Sequence, residues 1–582
     1  MKKAVAAIDF GTSGTTYAFS FYDKKKSIIT GKWNISQEKC PTEIILDESL
    51  NTIKFGNECE KYLGEQSSSE SKFYYFKNIK MELYKDETEI TADNGGSRQP
   101  LAFVISKILI EIKKEAIKAI NSRDPEIIES DIEWKVTIPA IWKNKSKDIM
   151  RRACQSAGIF NQKEQSTFFA LEPEAAACDY VINNGNENAI KPGQIYIICD
   201  IGGGTVDIST HKRFIENGET YIEEVYPPVG GNNGSTYINK NFIDEVIMKL
   251  FGSTSLNKLL EKVKDPSSNQ DIYSDYCEFL KEIEDFKINI SEENKNESRR
   301  IKCNIFSSFL DKNINIDNLI ENFNNNCFGK KESWKIKKNT KYKIYFPYQI
   351  MIDLTKELIV DKVVKYINDI SKCGIIIDSI IYAGSVSSNS FVISMIKKEL
   401  ENKNIISNHY LTMYPSISVV KGAVIFGLNP YIVKRRIAKF TIGVNCCEIW
   451  DEKRHKNHPE KKYFDTDDDC YRCKDIFSPI IEKNKKIEVN EINSKHYLLK
   501  SSKASIRFYK TLYNNVTFID EKIIGKYKCQ IFGGLIFDVG DEYDKDNTNL
   551  IIELKLGGTF ISAQIKYKKK IQKVDFDFTD TK

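Results

Sequence analysis

Residues 199–209 read CDIGGGTVDIS and follow directly on the apolar run QIYII at 194–198. Three consecutive glycines between Asp200 and Asp207 suit neither a strand nor a helix, because glycine gives up the most backbone freedom in either. What glycine offers is close approach: without a Cβ, a turn can press its backbone N–H groups against a ligand. The same order recurs at 8–19, IDFGTSGTTYAF, where Asp9 precedes Gly11, Thr12, Ser13, Gly14, Thr15 and Thr16. Gly202, Gly203, Gly204 and Thr205 are therefore expected to hold one end of a polyphosphate, and the N-terminal turn the other. Asp9, Asp200 and Asp207 then stand beside phosphate, where bare carboxylates would repel it. A hydrated magnesium ion resolves the conflict, since it keeps its waters and takes carboxylates as outer partners. Neither turn fits GxxxxGK[ST], and neither has the strand–GxGxxG–helix order of dinucleotide folds.

Working outward, AVAAIDF (4–10) reads as a buried strand, with a hairpin expected around Asp23 to Lys26. Between Pro100 and Asn121, Phe103, Ile105, Ile108, Leu109, Ile112, Ala116 and Ile120 recur at spacings of three and four, predicting a helix with one broad apolar face. DIEWKVTIP alternates as a strand up to Pro139, and KSKDIMRRACQSAG is a helix stopped by Gly158. Residues 180–193 are a polar loop, after which strand, aspartate, glycine turn and strand begin again. This is a coarse duplication into two similar lobes. Residues 235–340 form a helical insertion, with stretches at 241–263 and 274–288; 375–384 is a buried strand ending in glycine, and a helix follows near Ser388 or Ser390. From about 440 onward only short alternating strands remain, separated by Gly, Asn and Asp turns.

The 582 residues carry 86 Lys and Arg against 81 Asp and Glu, and +5 on so long a chain argues against a dedicated nucleic-acid binder. Asp9 interrupts the first apolar run, and no stretch approaches the roughly 18 apolar residues of a membrane span. The fourteen cysteines are scattered, so a reducing cytosol or nucleus is the expected location. HKNHP (455–459) and CYRC (470–473) contain zinc-ligand types, but HxxH is tighter than a finger's spacing and DTDDD intervenes. Packed or free cysteines and solvent-facing histidines are expected instead.

These motifs resemble the actin-like ATPase superfamily, specifically the seventy-kilodalton heat-shock protein family and its divergent member-twelve branch. IDFGTSGTTYAFSF is similar to the first phosphate loop, CDIGGGTVDIS to the second, LEPEAAACDY to the connecting segment, VGGNNGS to a glycine site, IIYAGSVSSN to the adenosine loop and VVKGAVIFGL to the second connecting helix. VTIPAIWK, FYYFKNIKM and KGAVIFGLNPYIVKRR resemble the divergent branch. The resemblance implies an α/β fold of duplicated actin-like, ribonuclease H-like ATPase lobes followed by a C-terminal β-rich domain without a helical lid. Its bounds are 1–437 for the nucleotide-binding domain (lobe I about 1–190, lobe II about 194–380, closing segment about 381–437), 438–576 for the β-rich substrate-binding domain and 577–582 for a tail.

By the same resemblance the cofactors are ATP or ADP with Mg2+, and Asp9 and Asp200 face the metal. Glu172 helps orient the attacking water, Asp200 and Asp207 organise water and magnesium, and Thr205 matches the family's threonine. Gly230 and Gly231 lie near the β-phosphate, and Gly384 and Ser385 form the adenosine loop. The phosphate-facing lysine falls in KNIKM, where Lys77 and Lys80 compete and Lys80 is preferred. Only Glu284 and Lys287 offer polar contacts on the adenine-facing helix.

The first loop is longer than the family's usual form, and YAGSVSS stands where two glycines and an arginine are usual. After Pro430 the chain reads YIVKRRIAKF in place of an aspartate and leucine linker. The resemblance implies a slow Mg-dependent ATPase coupled to binding a protein or peptide client, with a co-chaperone. The alternatives are a nucleotide-sensing scaffold that hydrolyses little, and a small-molecule kinase of the same superfamily. Oligomeric state is left open.

Overall fold

The computed structural model describes residues 2–24, 27–33, 37–65, 72–96, 98–160, 168–183, 190–264, 270–310, 315–326, 332–340, 342–405, 407–489, 491–556 and 561–575. The chain forms two compact units, the first from 1–142, 149–209 and 228–430, the second from 143–148, 210–227 and 431–582. The first is α/β with mixed sheets, and the second is rich in β-structure. Among the described residues no helix is long and apolar enough to cross a membrane.

In the first unit, strand β1 (Ala4–Phe10) is buried at every position, as a seven-residue apolar run requires. It pairs antiparallel with β2 (Gly14–Phe21) and parallel with β3 (Ile132–Ile138), which pairs parallel with β4 (Phe169–Leu171). The hairpin expected at Asp23–Lys26 passes through residues 25 and 26, outside the described residues, and β2 then pairs with the short strand Ile29–Thr30. A second short strand, Cys40–Pro41, pairs with the start of β2, Gly14 against Pro41 and Thr15 against Cys40.

The second sheet places β5 (Ile195–Ile201) beside β6 (Val206–Glu216), parallel to β7 (Ser379–Ala383), which is parallel to β8 (Asn408–Leu411). β6 opens in the first unit and from Thr210 onward belongs to the second.

Helix α1 (Leu101–Asn121) buries Leu101, Val104, Ile105, Ile108, Leu109, Ile112, Ala116 and Ile120. Phe103, expected on that face, is only half-buried, and its ring carries Lys107 Nζ 5.1 Å from the centroid. Val104 takes the inner position because it keeps the three-and-four spacing to Ile108 and Leu101. Helix α2 (Glu172–Cys178) packs on α3 (Ser418–Leu428), where a Cβ on Gly422 would stand 1.6 Å from the Ala175 carbonyl oxygen. Only glycine permits that approach. Helix Ser390–Asn402 starts at Ser390 because the Asn389 side chain caps it, accepting from the Phe391 and Val392 amides.

The second unit contains a five-stranded and a four-stranded antiparallel sheet. Ile442, Val444, Phe508 and Phe537 from the first and Ile552, Leu554, Ile565 and Tyr567 from the second share one buried core, the packing of a sandwich. The segment 184–189, part of the polar loop expected at 180–193, and the tail 577–582 lie outside the described residues.

Candidate functional site

The two glycine turns meet in the first unit. A Cβ on Gly204 would stand 2.2 Å from Thr12 Oγ1 and 2.7 Å from Met81 Sδ, and one on Gly203 would stand 2.8 Å from Ser13 Oγ. The second turn thus lies directly on the first, at a distance that side chains would prevent. Gly202 N donates to the Thr205 carbonyl at 2.8 Å, closing the turn on a buried Thr205. The turn's other carbonyls are taken by the chain entering the helix Thr236–Phe242, with Thr236 N donating to Gly203 O at 2.8 Å and Gly234 N to Gly204 O at 3.1 Å. Gly230 lies against the Val206 carbonyl, which a Cβ would reach at 2.1 Å, and Gly231 lies within 2.9 Å of Tyr366 Oη by the same measure. Gly384, at a φ of 84°, packs on Asp200, whose Oδ1 would be 2.3 Å from a Cβ there.

Four carboxylates are buried around this junction: Asp9, Glu172, Asp200 and Asp207. The parallel register Ile8 with Val136 carries Thr137 to Asp9, and its hydroxyl donates to Asp9 Oδ1 at 2.8 Å. Lys39 Nζ lies 2.7 Å from Asp9 Oδ2. Burial acts to raise Asp9, but the ammonium groups of Lys39 and Lys80 and the two hydrogen bonds outweigh it and hold the carboxyl below its usual range. Lys80 Nζ lies 2.6 Å from Glu172 Oε1, both buried, with Lys80 also 5.5 Å from the Trp142 ring centroid. Burial raises Glu172, with Lys80 opposing and the neighbouring aspartates adding to it. Asp200 is raised by burial and by Asp207 and Asp9, and Asp207 by burial. Asp207 Oδ1 accepts from the Ile141 amide at 3.3 Å, while Oδ2 is buried with no hydrogen-bond partner.

Lys80 and Lys77, which local spacing does not separate, go to different places. Lys80 enters the carboxylate cluster; the Lys77 amide donates to Asp93 Oδ2 at 2.9 Å, and its ammonium lies 5.7 Å from the Tyr75 ring centroid. The Thr15 and Thr16 hydroxyls are taken by other partners. The backbones of these residues pair with Phe10 and Asp9, and their hydroxyls engage Thr42 Oγ1 at 2.8 Å and the Glu38 carbonyl at 2.6 Å. Lys39 and Thr137, which sequence reasoning missed, complete Asp9's surroundings. Thr137 follows Val136, the partner of Ile8, and so stands level with Asp9 one residue before β1 ends at Phe10, a register that local sequence does not carry.

Beside the junction lies a cavity of about 1140 Å³ lined by Ser13, Glu284, Lys287, Ser385, Asn389 and Phe391 among others. Lys287 Nζ is 2.6 Å from Glu284 Oε2 and 3.3 Å from the Ser235 carbonyl. Burial lowers the Lys287 ammonium despite Glu284.

Known proteins are similar to this sequence. The chain is 24% identical over 600 residues to heat shock 70 kDa protein 12A of Mus musculus, covering 90% of this chain and 84% of that protein. Heat shock 70 kDa protein 12B of Homo sapiens is 25% identical over 43% of this chain and 45% of its own. The chain is a homologue of the heat shock 70 kDa proteins. The chaperone protein HscA homolog of Rickettsia bellii is 26% identical to this heat-shock-70 homologue over 46% of the chain and 42% of that protein. Residues 191–333, which include the second glycine turn, also match a domain of unknown function, DUF8340.

Among the described residues of this homologue no group of three His, Cys, Asp or Glu is placed to hold a metal directly. His455 faces Glu448 Oε1 at 2.8 Å, and His458 faces Glu460. The aspartates suit a metal held through its water shell: the unpartnered Asp207 Oδ2 is an acceptor for such a water, and Asp200 lies beside it in charge. Asp9 is already engaged by Lys39.

Proposed function

We propose that this chain is a nucleotide-driven binding protein of the heat-shock-70 kind. Two lobes close on Mg-ATP, hydrolyse it slowly, and change how the β-rich unit holds a protein or peptide client, with a co-chaperone assisting. The observation that carries this reading is the contact of Gly203 and Gly204 with Ser13 and Thr12 amid four buried carboxylates, a concentration of buried charge that would be costly to keep without a ligand. Duplication into lobes is supported by the likeness of β2, β1, β3, β4 to β6, β5, β7, β8: a hairpin followed by two parallel additions in each. The nucleotide lobes then occupy 1–437 and the client domain 438–576. The chaperone role draws on what the related proteins are called.

In this reading the amides of residues 11–14 and of Gly203 and Gly204 cradle the phosphates, while the Gly202 amide closes the turn on Thr205, and Lys80 supplies a cation while holding Glu172 in place. Asp207 Oδ2 accepts a proton from the attacking water, and Asp200 and Glu172 orient it. Asp200 and Asp207 would hold a magnesium ion through its waters, and the ion would supply neutralisation of phosphate charge. The nucleoside occupies the cavity between Ser13, Glu284, Lys287 and Ser385. Stabilisation against heat by Mg-ATP, together with single-turnover hydrolysis lost in Asp200→Asn and Glu172→Gln, is the expected result. Unchanged melting with saturating Mg-ATP or Mg-ADP would sink the reading.

A scaffold that binds nucleotide without turning it over is favoured by one feature, the double lock of Lys39 on Asp9 and Lys80 on Glu172, which engages two of the four carboxylates. Binding with no turnover, and no effect of nucleotide on partner affinity, would identify it.

A further inference from the structure

Lys39 is not a wandering surface lysine. It immediately precedes the short strand Cys40–Pro41, whose pairing with Gly14 and Thr15 sets it against the first glycine turn. Its stem crosses Gly14 so closely that a Cβ there would lie 3.1 Å from Lys39 Cβ and 3.5 Å from Cδ. The flanking residues are tied down on both sides. The Glu38 carbonyl accepts from Thr16 Oγ1 at 2.6 Å, Glu38 Oε2 accepts from Ser416 Oγ at 2.8 Å, and Thr42 Oγ1 donates to the Gly11 carbonyl at 2.8 Å. A long side chain fixed in this way lays its ammonium on a buried carboxylate at the mouth of an amide-lined turn. A quarter of the side chain remains open to solvent.

Charge gives the placement a purpose. Four buried carboxylates surround the junction, and Lys80 pairs with one of them. A polyphosphate arriving there adds several further negative charges to a site already in excess. Asp200 and Glu172 act on Lys39 in addition to its direct partner Asp9. An ammonium has three donors, so contact with one carboxylate oxygen leaves it able to reach a phosphate as well.

We infer that Lys39 is a phosphate-binding residue that stands at Asp9 where a bound cation would otherwise be needed, so that this chain holds nucleotide without a divalent metal. The inference rests on the nucleotide-site reading above. It adds that metal is needed for turnover and not for occupancy, and that the ammonium bridges Asp9 and the bound phosphates.

The test is the affinity of the full chain for a fluorescent ADP and a fluorescent ATP, each in magnesium buffer and in EDTA. The wild type is expected to keep its affinity within about threefold on chelation. Lys39→Gln should lose about tenfold or more in EDTA, the size of a charge-assisted hydrogen bond, with magnesium restoring part of the loss. Lys39→Arg should retain metal-free binding. If Lys39→Gln leaves Asp9 buried and unpaired and does not fold, the Asp9→Asn/Lys39→Gln double variant removes both charges and should show the same loss in EDTA. A wild type that releases nucleotide in EDTA, or variants that match it in both buffers, would overturn the inference and leave the nucleotide site standing. A wild type that binds in neither buffer would overturn both.

Discussion

Lys80 and Glu172 form a buried ion pair, Nζ to Oε1 at 2.6 Å, across 92 residues of sequence. Such a pair owes its persistence less to net stability than to the penalty for breaking it. Lys80→Met should destabilise the first unit by about 3–5 kcal/mol, because Glu172 is left buried and charged or is forced to take a proton. Adding Glu172→Leu should recover most of that loss. Denaturant melts of the two single variants and the double variant check it, and an additive double variant would mean the pair is not coupled.

The contact between the glycine turns makes a prediction that distinguishes two glycines of the same turn. Gly204→Ala drives a methyl group into Thr12 Oγ1 and Met81 Sδ, so the turns must separate, costing about 1–3 kcal/mol. Gly202→Ala meets nothing nearer than the Thr205 carbonyl at 3.5 Å and should be tolerated. Thermal melts with and without Mg-ADP should show nucleotide stabilisation lost in the first variant and kept in the second.

These turns were legible because glycine beside aspartate at a strand end is costly unless something needs the backbone, a fact that local sequence carries. Lys80 was legible only as one of a pair: Lys77 lies three residues away, and what separates them is Asp93, which no spacing rule connects to either. Lys39 was invisible, since it is 30 residues from Asp9 and is brought there by the pairing of Gly14 with Pro41. The β-rich character after residue 440 followed from alternation alone. That the segment from Thr210 to Pro227 joins the same compact unit did not, because the strands running through Ser209 continue without any break in pattern.

Asp200 links stability to pH. Burial, together with the charges of Asp207 and Asp9, raises it to about 7, above its ordinary value of 3.8. The folded state therefore holds a proton that the unfolded state has released. This contribution is fully present below about 4 and is lost as pH rises through about 7. Asp200→Asn should thus stabilise the ligand-free protein at pH 8, by on the order of 1–2 kcal/mol, with little effect at acid pH, while removing hydrolysis. Guanidinium melts of wild type and variant at both ends of the range read this directly. Equal stability at pH 8 would show that ionised Asp200 carries no penalty in the folded protein.

Lys287 and Glu284 should decide how much of the nucleotide's affinity comes from its nucleoside. They sit on the wall of the cavity beside Ser13, and burial lowers the Lys287 ammonium even with Glu284 at 2.6 Å. A group already strained in its charged state gains when a ligand adds hydrogen bonds to it. Lys287→Met removes that gain and leaves Glu284 without its cation, while the contact of Gly203 and Gly204 with the first turn and the Lys80–Glu172 pair do not involve Lys287 directly. Adenosine and ATP should therefore bind about tenfold more weakly, the loss expected from one charge-assisted hydrogen bond. Inorganic tripolyphosphate, which has no nucleoside to place in the cavity, should compete as well as it does against the wild type. Competition titrations with the three ligands separate the two halves of the site, and equal weakening of all three would mean that Lys287 supports the junction as a whole and not the nucleoside alone.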